Sequence, residues 1–411
     1  MADLYVKSLN MINPFVVASS PATQGAKNVL KSAGMRPGAI TMRNFGHGSG
    51  GGSFFYPDAR AAYQGQPCFH SHAVGRQVPD TVSTLEQYCE EVKKARRELD
   101  SDIRLWVSVG HYSDIVKGGD WEKDWARQAR ELSLAGADAL ELHFNTPGVA
   151  VAKDRIFDYY ELVRHCTTMI RQAAPASVKV MVKLAVEGCD VLTSMRVAQA
   201  SGADAVGPTA RWKAFYMDLD WRRTQPRPGA GYGGTQANPI VCYAVAEGRN
   251  NGITLPMYAG GGVFSYDQAA RLIMAGSDCV QLGALACSGG TMACRKVISD
   301  LEKWMDEAGY PDMDSLKGDA LQLFNMSGDF AKARQNALGD AYQLAQADAD
   351  KCVGCGRCVD VCWHEGIEIR DRKAHKTEHC IGCGYCFQVC PTGALNVDAG
   401  DILSRPFHPK Q

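Results

Sequence analysis

No apolar run in this 411-residue sequence approaches the ~18 residues that a membrane-crossing helix needs. A surplus of one charge is missing too. The 44 Lys and Arg are balanced by 45 Asp and Glu, a net charge of −1, which argues against a general nucleic-acid binder with its basic surplus. The first residues, Met1-Ala-Asp-Leu-Tyr, have neither the basic nor the apolar stretch of a signal peptide, so a cytosolic, membrane-free protein is expected. A nicotinamide-binding signature is also lacking: no strand runs into G-x-G-x-x-G and a helix with an acidic residue to follow. Apolar residues at 45% and charged residues at 22% are ordinary for a globular chain, and ~150 residues per domain gives two or three domains.

Cysteine is what the chain has in excess, with 16 residues. Cys68, Cys89, Cys166, Cys189, Cys242, Cys279, Cys287 and Cys294 are scattered; the other eight crowd between Cys352 and Cys390. In a cytosolic chain of this length, metal or redox chemistry is the expected use, not a disulfide scaffold. The tail reads Cys352-Val-Gly-Cys355-Gly-Arg-Cys358-Val-Asp-Val-Cys362, then Cys380-Ile-Gly-Cys383-Gly-Tyr-Cys386-Phe-Gln-Val-Cys390-Pro391. This is C-x2-C-x2-C-x3-C twice, the pattern in which the last Cys of each run ligates the other cluster. Cys352, Cys355, Cys358 and Cys390 are therefore expected to hold one [4Fe–4S] cluster, and Cys380, Cys383, Cys386 and Cys362 a second. Gly354, Gly356, Gly382 and Gly384 let the backbone approach the sulfides. Two zinc knuckles are the alternative, but zinc sites pair C-x2-C halves without the third and fourth cysteines in these places. Two clusters form a wire, and something else must use the electrons.

Before the tail, short apolar runs alternate with helical patterns. Strands are expected at 15–19, 39–43, 105–109, 139–143, 178–184, 203–208, 255–259 and 279–284, most of them short apolar runs ended by Gly, Pro or a polar residue. The clearest helices are 80–99, 120–135, 159–173, 266–275 and 291–307. Ala-Gly-Ala-Asp138, Ser-Gly-Ala-Asp204 and Ala-Gly-Ser-Asp278 recur at helix-to-strand junctions, where a Gly ends a helix. About eight such units predict a (β/α)8 barrel, with a doubly wound sheet as the alternative; a barrel places its chemistry where the strands end. The expected layout is a barrel over 1–310, a linker over 311–345, and a two-cluster ferredoxin domain with its tail over 346–411. Residues 44–80, with a glycine-rich stretch at 46–52, read as a flexible lid or docking loop. His70 and His72 have no further ligand in view for a metal site.

Ala259-Gly260-Gly261-Gly262-Val263 and Gln281-Leu282-Gly283-Ala284 end the seventh and eighth strands. Barrel loops there commonly bind phosphate through backbone N–H groups; tight turns alone are the alternative. Clusters move single electrons and most organic reductions need two. A phosphate site in a barrel fused to a ferredoxin therefore suggests FMN, which converts between the two.

Asn13-Pro14-Phe15, Ala18-Ser19-Ser20-Pro21, Gly136-Ala-Asp-Ala-Leu-Glu-Leu142, Lys183-Leu184, Tyr232-Gly-Gly234 and Gly260-Gly-Gly262 follow one another before the ferredoxin tail. In that order, over nearly the whole chain, they resemble the dihydroorotate dehydrogenase superfamily. With the fused ferredoxin, the resemblance is to its branch of FMN and iron–sulfur subunits of bacterial NAD-dependent dihydropyrimidine dehydrogenases. The resemblance implies that Ala18, Ser19 and Ser20 line the flavin. Lys183 would lie by the ring's N1–C2 edge, and Gly260, Gly261, Gly262, Gly283 and Ala284 would cradle the phosphate. Arg43 takes the place of a family Lys. An NAD(P)H-oxidising, FAD-containing partner subunit and an oligomeric assembly are implied as well.

The departures concern the substrate. Where the family reads Asn-Leu-Ser-Cys-Pro, this chain has His143-Phe-Asn145-Thr-Pro147, and the loop over 148–160 contains no Cys or Ser. An Asn-Thr pair after the sixth strand becomes Thr209-Ala210. His143 is the leading candidate for the proton donor, since histidine titrates near neutrality, and also a substrate ligand along with Asn145 and Thr209. Tyr159 and Asp154, and behind them Tyr160 and Lys153, are further proton-transfer candidates, each of which could instead simply begin the next helix. Cys166 and Cys189 read as packing residues. The expected activity is flavin-dependent reduction or formation of a C=C bond in a pyrimidine-like, carbonyl-activated substrate. The alternatives are another ring or enone, or an electron-transfer subunit with no substrate of its own.

Overall fold

The computed structural model describes residues 1–44, 53–56, 68–72, 84–111, 114–115, 118–144, 150–152, 155–210, 212–214, 220, 230–325, 343–344, 347–380, 383–395 and 397–398. The chain divides into two compact units, Met1–Phe324 and Asn325–Gln411.

The first unit is built on eight parallel strands, β1 (Phe15–Val17), β2 (Ala39–Met42), β3 (Arg104–Ser108), β4 (Ala139–His143), β5 (Lys179–Lys183), β6 (Ala205–Gly207), β7 (Tyr258–Gly260) and β8 (Cys279–Leu282). They pair in the order β6-β5-β4-β3-β2-β1-β8-β7. A parallel bridge between Val206 and Met257 joins the two ends. This is the (β/α)8 barrel that the strand–helix alternation predicts, with all eight strands where the sequence places them. The helices after the strands are α1 (Gly25–Ala33), α2 (Leu85–Glu98), α3 (Trp121–Leu134), α4 (Tyr159–Ala173), α5 (Val191–Ala200), α6 (Asn238–Asn250), α7 (Tyr266–Met274) and α8 (Gly290–Ala308). Three of them, α1, α5 and α6, escape the sequence reading. In α6 the composition disguises the helix: Pro239 sits in the first turn, where it is tolerated, and Gly248 lies deep inside. A Cβ on Gly248 would come within 2.8 Å of the Met195 and Met257 methyls. Among the described residues, no helix is long and apolar enough to cross a membrane.

The recurrent Gly-x-Asp sequences prove to be staples across the N-terminal face of the barrel. Asp138 Oδ2 accepts from the Leu105 N–H at 2.7 Å and from Arg96 of α2 at 3.0 Å. Asp204 Oδ2 accepts from the Val180 N–H at 2.7 Å and from Arg171 of α4 at 2.8 Å. Asp278 Oδ2 accepts from the Met257 N–H at 2.8 Å and from Arg249 of α6 at 2.7 Å. Each Asp thus ties the start of one strand to that of the next, pairing β3 with β4, β5 with β6, and β7 with β8. The glycines are required because the Arg stems pass over them: a Cβ on Gly276 would meet Arg249 Cγ at 2.6 Å, and one on Gly136 would meet Arg96 Cγ at 2.8 Å. Both also hold φ above +100°. The fourth pair uses Asn13, whose side-chain Oδ1 accepts from the Phe15 and Gly38 N–H groups at 3.1 and 2.9 Å, bridging β1 and β2.

The first unit runs past residue 310. Tyr310, Met313 and Leu316 are buried in its core, and Asp3 exchanges backbone hydrogen bonds with Pro311 and Met313. The described parts of the 44–80 excursion are two strands, Ser53–Tyr56 and Cys68–His72. They join Ala230–Gly233 and Trp212–Ala214 in a four-stranded antiparallel sheet. The excursions after β2 and β6 therefore pair with each other, a long-range match that no local pattern encodes.

The second unit holds an antiparallel pair, Ile367–Arg370 with Lys373–Lys376, and a two-stranded pairing of Gln343–Leu344 with Val397–Asp398. Short helices at Arg357–Asp360 and Tyr385–Gln388 follow Gly356 and Gly384. Its small core gathers Cys358, Ile367, Ala374, Cys386 and Leu395.

Candidate functional site

The C-terminal strand ends bring together many of the residues singled out in the barrel. His143 ends β4 and Lys183 ends β5, and the two are register partners. In a parallel pair, register partners point to the same face. Lys183 is only 7% exposed. Gly207, its register partner on β6, makes room for it: a Cβ there would meet Lys183 Cγ at 3.3 Å and the Tyr258 ring at 3.1 Å. Tyr258 in turn stands edge-on to Trp106, with ring centroids 5.3 Å apart.

Ala18 and Ser19 follow β1, where Ser108 Oγ of β3 donates to Ser19 Oγ at 3.3 Å. The Ser20 hydroxyl is engaged as a cap, accepting from the Ala22 N–H at 3.2 Å. Arg43, just past β2, is half-buried, and its N–H donates to the Thr23 carbonyl. Cys287, on the short helix Ala284–Ser288, lies near Ser20, Ala22 and Arg43. Burial pushes its thiol up, and those three neighbours partly offset the effect.

The glycine loops contribute in two ways. A Cβ on Gly262 would strike the Gly234 carbonyl at 2.6 Å, and one on Gly260 would strike Gln281 Oε1 at 2.7 Å. These glycines are thus required by packing within the protein. A Cβ on Gly283 would meet only Ala18 Cβ, at 3.8 Å. Among the described residues, the N–H groups of Gly261, Gly262, Gly283 and Ala284 donate to no protein acceptor. Unsatisfied donors beside a glycine with open space above it suit an anionic group such as a flavin phosphate, so the residues present fit that cofactor.

The remaining candidates have definite places. Thr209 is buried, and its hydroxyl donates to the Gly260 carbonyl at 2.7 Å, which commits its proton to the loop. Tyr159 is buried in α4, and its hydroxyl accepts from the Ala185 N–H at 2.7 Å, fixing the chain just beyond Lys183. Burial raises its phenol well above the ordinary range. Tyr160 accepts from the Asp190 N–H in the same manner. Both tyrosines thus support the loop after β5. Cys166 is fully buried, and desolvation pushes its thiol up; Cys189 is half-buried, with its thiol 3.5 Å from the Ala185 carbonyl. Asn145, Lys153 and Asp154 lie outside the described residues, as do the side chains of His70 and His72.

Beneath His143 the sequence reading passed over a buried polar group. Glu141 has no exposed surface, and neither carboxylate oxygen makes a hydrogen bond of good geometry. Gln281 on β8 and Tyr258 on β7 also have buried polar atoms without such bonds. Desolvation raises the Glu141 carboxyl, while the Lys183 charge and the nearby Gln281 and Tyr258 pull it back down. The signal was present: a carboxylate in mid-strand in Ala-Leu-Glu-Leu-His, and an amide in Cys-Val-Gln-Leu.

In the second unit the eight tail cysteines surround two cavities. One is lined by Cys352, Cys355, Cys358 and Cys390, the other by Cys362, Cys380, Cys383 and Cys386. Each set draws three cysteines from one run and one from the other. Gly354, Gly356 and Gly384 hold φ between +68° and +83°; Gly382 lies outside the described residues. The Gly366 N–H donates to Cys362 Sγ at 3.1 Å and the Ala374 N–H to Cys352 Sγ at 3.4 Å. For Cys390, desolvation is the largest single influence and acts upward. N–H groups from Leu395, Thr392 and Ala394, with the Thr392 hydroxyl, outweigh it and bring the thiol below its ordinary value. Among the described residues, no three His, Cys, Asp or Glu side chains converge closely enough for one metal ion.

Comparison with known proteins gives matches to both units. Residues 81–305 match the dihydroorotate dehydrogenase family and residues 345–397 the 4Fe-4S dicluster domain. Dihydroorotate dehydrogenase A (fumarate) of Lactobacillus helveticus is 26% identical over 234 residues, 56% of this chain and 71% of that one. The NAD-dependent dihydropyrimidine dehydrogenase subunit PreA of Escherichia coli K12 is 25% identical over 377 residues, 87% of this chain and 84% of that one. A crystal structure of the dihydroorotate dehydrogenase of Eimeria tenella in complex with ferulenol superposes with a TM-score of 0.59. It has 15% identity and covers 77% of this chain and 87% of that one, a likeness of fold.

Proposed function

This chain belongs to the dihydroorotate dehydrogenase family, and from that premise we propose that it reduces, or forms, a C=C bond in a pyrimidine-like, carbonyl-activated substrate. Membership makes it a flavin-dependent oxidoreductase acting on CH–CH bonds, here carrying a 4Fe-4S domain. The proposal adds the substrate class, two [4Fe–4S] clusters on the cysteine sets above, and an NAD(P)H-oxidising, FAD-containing partner that feeds them. The carrying observation is the His143–Lys183 register pair at the barrel's C-terminal edge, on the same chain as two four-cysteine cavities.

When bound, FMN would supply two-electron hydride chemistry toward a substrate carbon and one-electron chemistry toward the clusters. Ala18, Ser19, Arg43 and Lys183 would hold its ring region, and the N–H groups of Gly261, Gly262, Gly283 and Ala284 its phosphate. Lys183 supplies a fixed positive charge where a reduced ring becomes anionic. His143 supplies a proton to the carbon next to the one that receives hydride, and takes it back in the reverse direction. Burial of the strand ends limits water around that proton. The chain's lack of a dinucleotide signature and its likeness to a subunit named NAD-dependent support the partner.

A second reading, a non-pyrimidine ring or enone, is favoured by Thr209. Its proton is committed to Gly260, so the position where the family reads a pyrimidine offers no free donor.

The test is anaerobic. Protein reduced with dithionite and freed of excess is mixed with uracil, thymine and orotate in turn, and flavin reoxidation is followed at ~450 nm. Prompt reoxidation by uracil or thymine supports the first reading. A reducible flavin that stays reduced with all three supports the second. Rapid flavin reduction by NADH without any partner would remove the need for the FAD subunit.

A further inference from the structure

The geometry points to Glu141 as a positioning residue: the buried counter-charge of Lys183, through which a side chain that does not reach the flavin site sets how readily the flavin is reduced. This rests on the flavin reading of the strand ends given above.

Glu141 lies two residues before His143 on β4, so both occupy the same strand face. Lys183 is the register partner of His143 on β5, so all three side chains share that face. The space around them is shaped to admit polar groups. Gly207 leaves a passage for the Lys183 stem beside the Tyr258 ring, and Gly260 leaves one for Gln281. Glu141, Tyr258 and Gln281 bring five buried polar atoms to this interior, none with a hydrogen bond of good geometry. A buried carboxylate left in that condition is costly unless a charge partner offsets it. Lys183 is that partner among the described residues: it is the cation whose charge favours ionised Glu141. Of the other titratable groups, His143 shares the same strand face, and the buried phenols of Tyr258 and Tyr88 also feel the Glu141 charge, which opposes their ionisation.

Two consequences follow. With Glu141 ionised, the Lys183 charge is partly neutralised from below, and its attraction for an anionic reduced ring is moderated. With the carboxylate removed, Lys183 presents more charge to the ring but holds its own proton less firmly, because one nearby negative charge that favours the ammonium is gone.

The test uses the full chain as Glu141→Gln, with Glu141→Asp as the conservative rescue. In Glu141→Gln, the flavin midpoint potential rises by at least the equivalent of a tenfold preference for the reduced form, about 30 mV for a two-electron couple; Glu141→Asp falls between Gln and wild type. The effect vanishes in a Lys183→Met background, because Glu141 acts through Lys183. An unchanged potential with flavin retained, or the same shift in the Lys183→Met background, overturns the inference. A second readout needs no flavin. In the apoprotein, the pH at which Lys183 reacts with an amine reagent, followed by peptide mass spectrometry, moves at least one unit lower in Glu141→Gln. An unmoved profile overturns the inference even if the flavin reading stands; absence of flavin from wild type defeats that reading while leaving this measurement decisive.

Discussion

His143 and Lys183 end adjacent parallel strands as register partners. An imidazole and a lysine ammonium are thereby held side by side on rigid backbone, not on loops. Strand ends are the positions from which barrels work, and side chains anchored there keep their geometry better than those on the loops beyond.

That placement makes His143 the first residue to change. In His143→Gln, reoxidation of reduced flavin by whichever substrate proves active slows by about 10²-fold or more, while the flavin spectrum and content stay as in wild type. Stopped-flow absorbance reads the rate. A rise in KM with kcat intact would instead assign His143 to substrate binding alone.

The two cysteine cavities predict a crossed dependence. Cys362 belongs to the first run but lines the cavity of Cys380, Cys383 and Cys386. Cys362→Ser and Cys380→Ser should therefore lose the same cluster, and Cys390→Ser and Cys352→Ser the other. Iron content near half of wild type, with matching residual EPR spectra within each pair, is the expected result. Pairing by sequence run instead would overturn the assignment.

The staples on the opposite face should be unequal in strength. Asp278 is 4% exposed and also accepts from Ser8 and Lys317. The Asp138 side chain, at 33%, is far more open to water. Desolvation lowers the Arg249 guanidinium and Asp278 only partly offsets this, so Asp278→Asn leaves a buried cation short of its partner and costs about 3–5 kcal/mol. Asp138→Asn costs much less, in keeping with partly solvated pairs. Urea unfolding midpoints at unchanged slope measure both.

Glu141 carries a pH dependence with a definite sign. Burial raises its folded-state value above the ordinary 4.5, and Lys183 only partly offsets this. The stability it contributes is therefore fully present below the unfolded value and is lost as pH rises through the folded one. Glu141→Gln has no such proton to lose. The unfolding free energy of wild type relative to this variant should fall as pH rises from 4.5 toward neutrality. A flat difference would mean that Glu141 is as easily ionised inside the barrel as outside it.

Much of this was legible in the sequence because the signals are local. The spacing of eight tail cysteines defines two ligand sets without any knowledge of the chain's path. Short apolar runs mark eight strands, and Gly-x-Asp turns precede three of them, because a buried parallel strand needs a continuous apolar segment and a helix needs a stop. The order of those segments also carries the family resemblance. What only the tertiary structure decided involves partners far apart in sequence. The excursions after β2 and β6 form one sheet. Arg96, Arg171 and Arg249 reach across to aspartates some thirty to forty positions away. Tyr159 and Thr209, candidates for chemistry by position, have their hydroxyls turned to backbone groups of neighbouring loops. Glu141, which looked like one polar residue in an apolar strand, sits beneath the site because closing the barrel faces β4 with β5, β7 and β8. Periodicity tells which face of a strand a residue occupies; barrel closure decides what stands opposite it, and so where the charge of Lys183 is met.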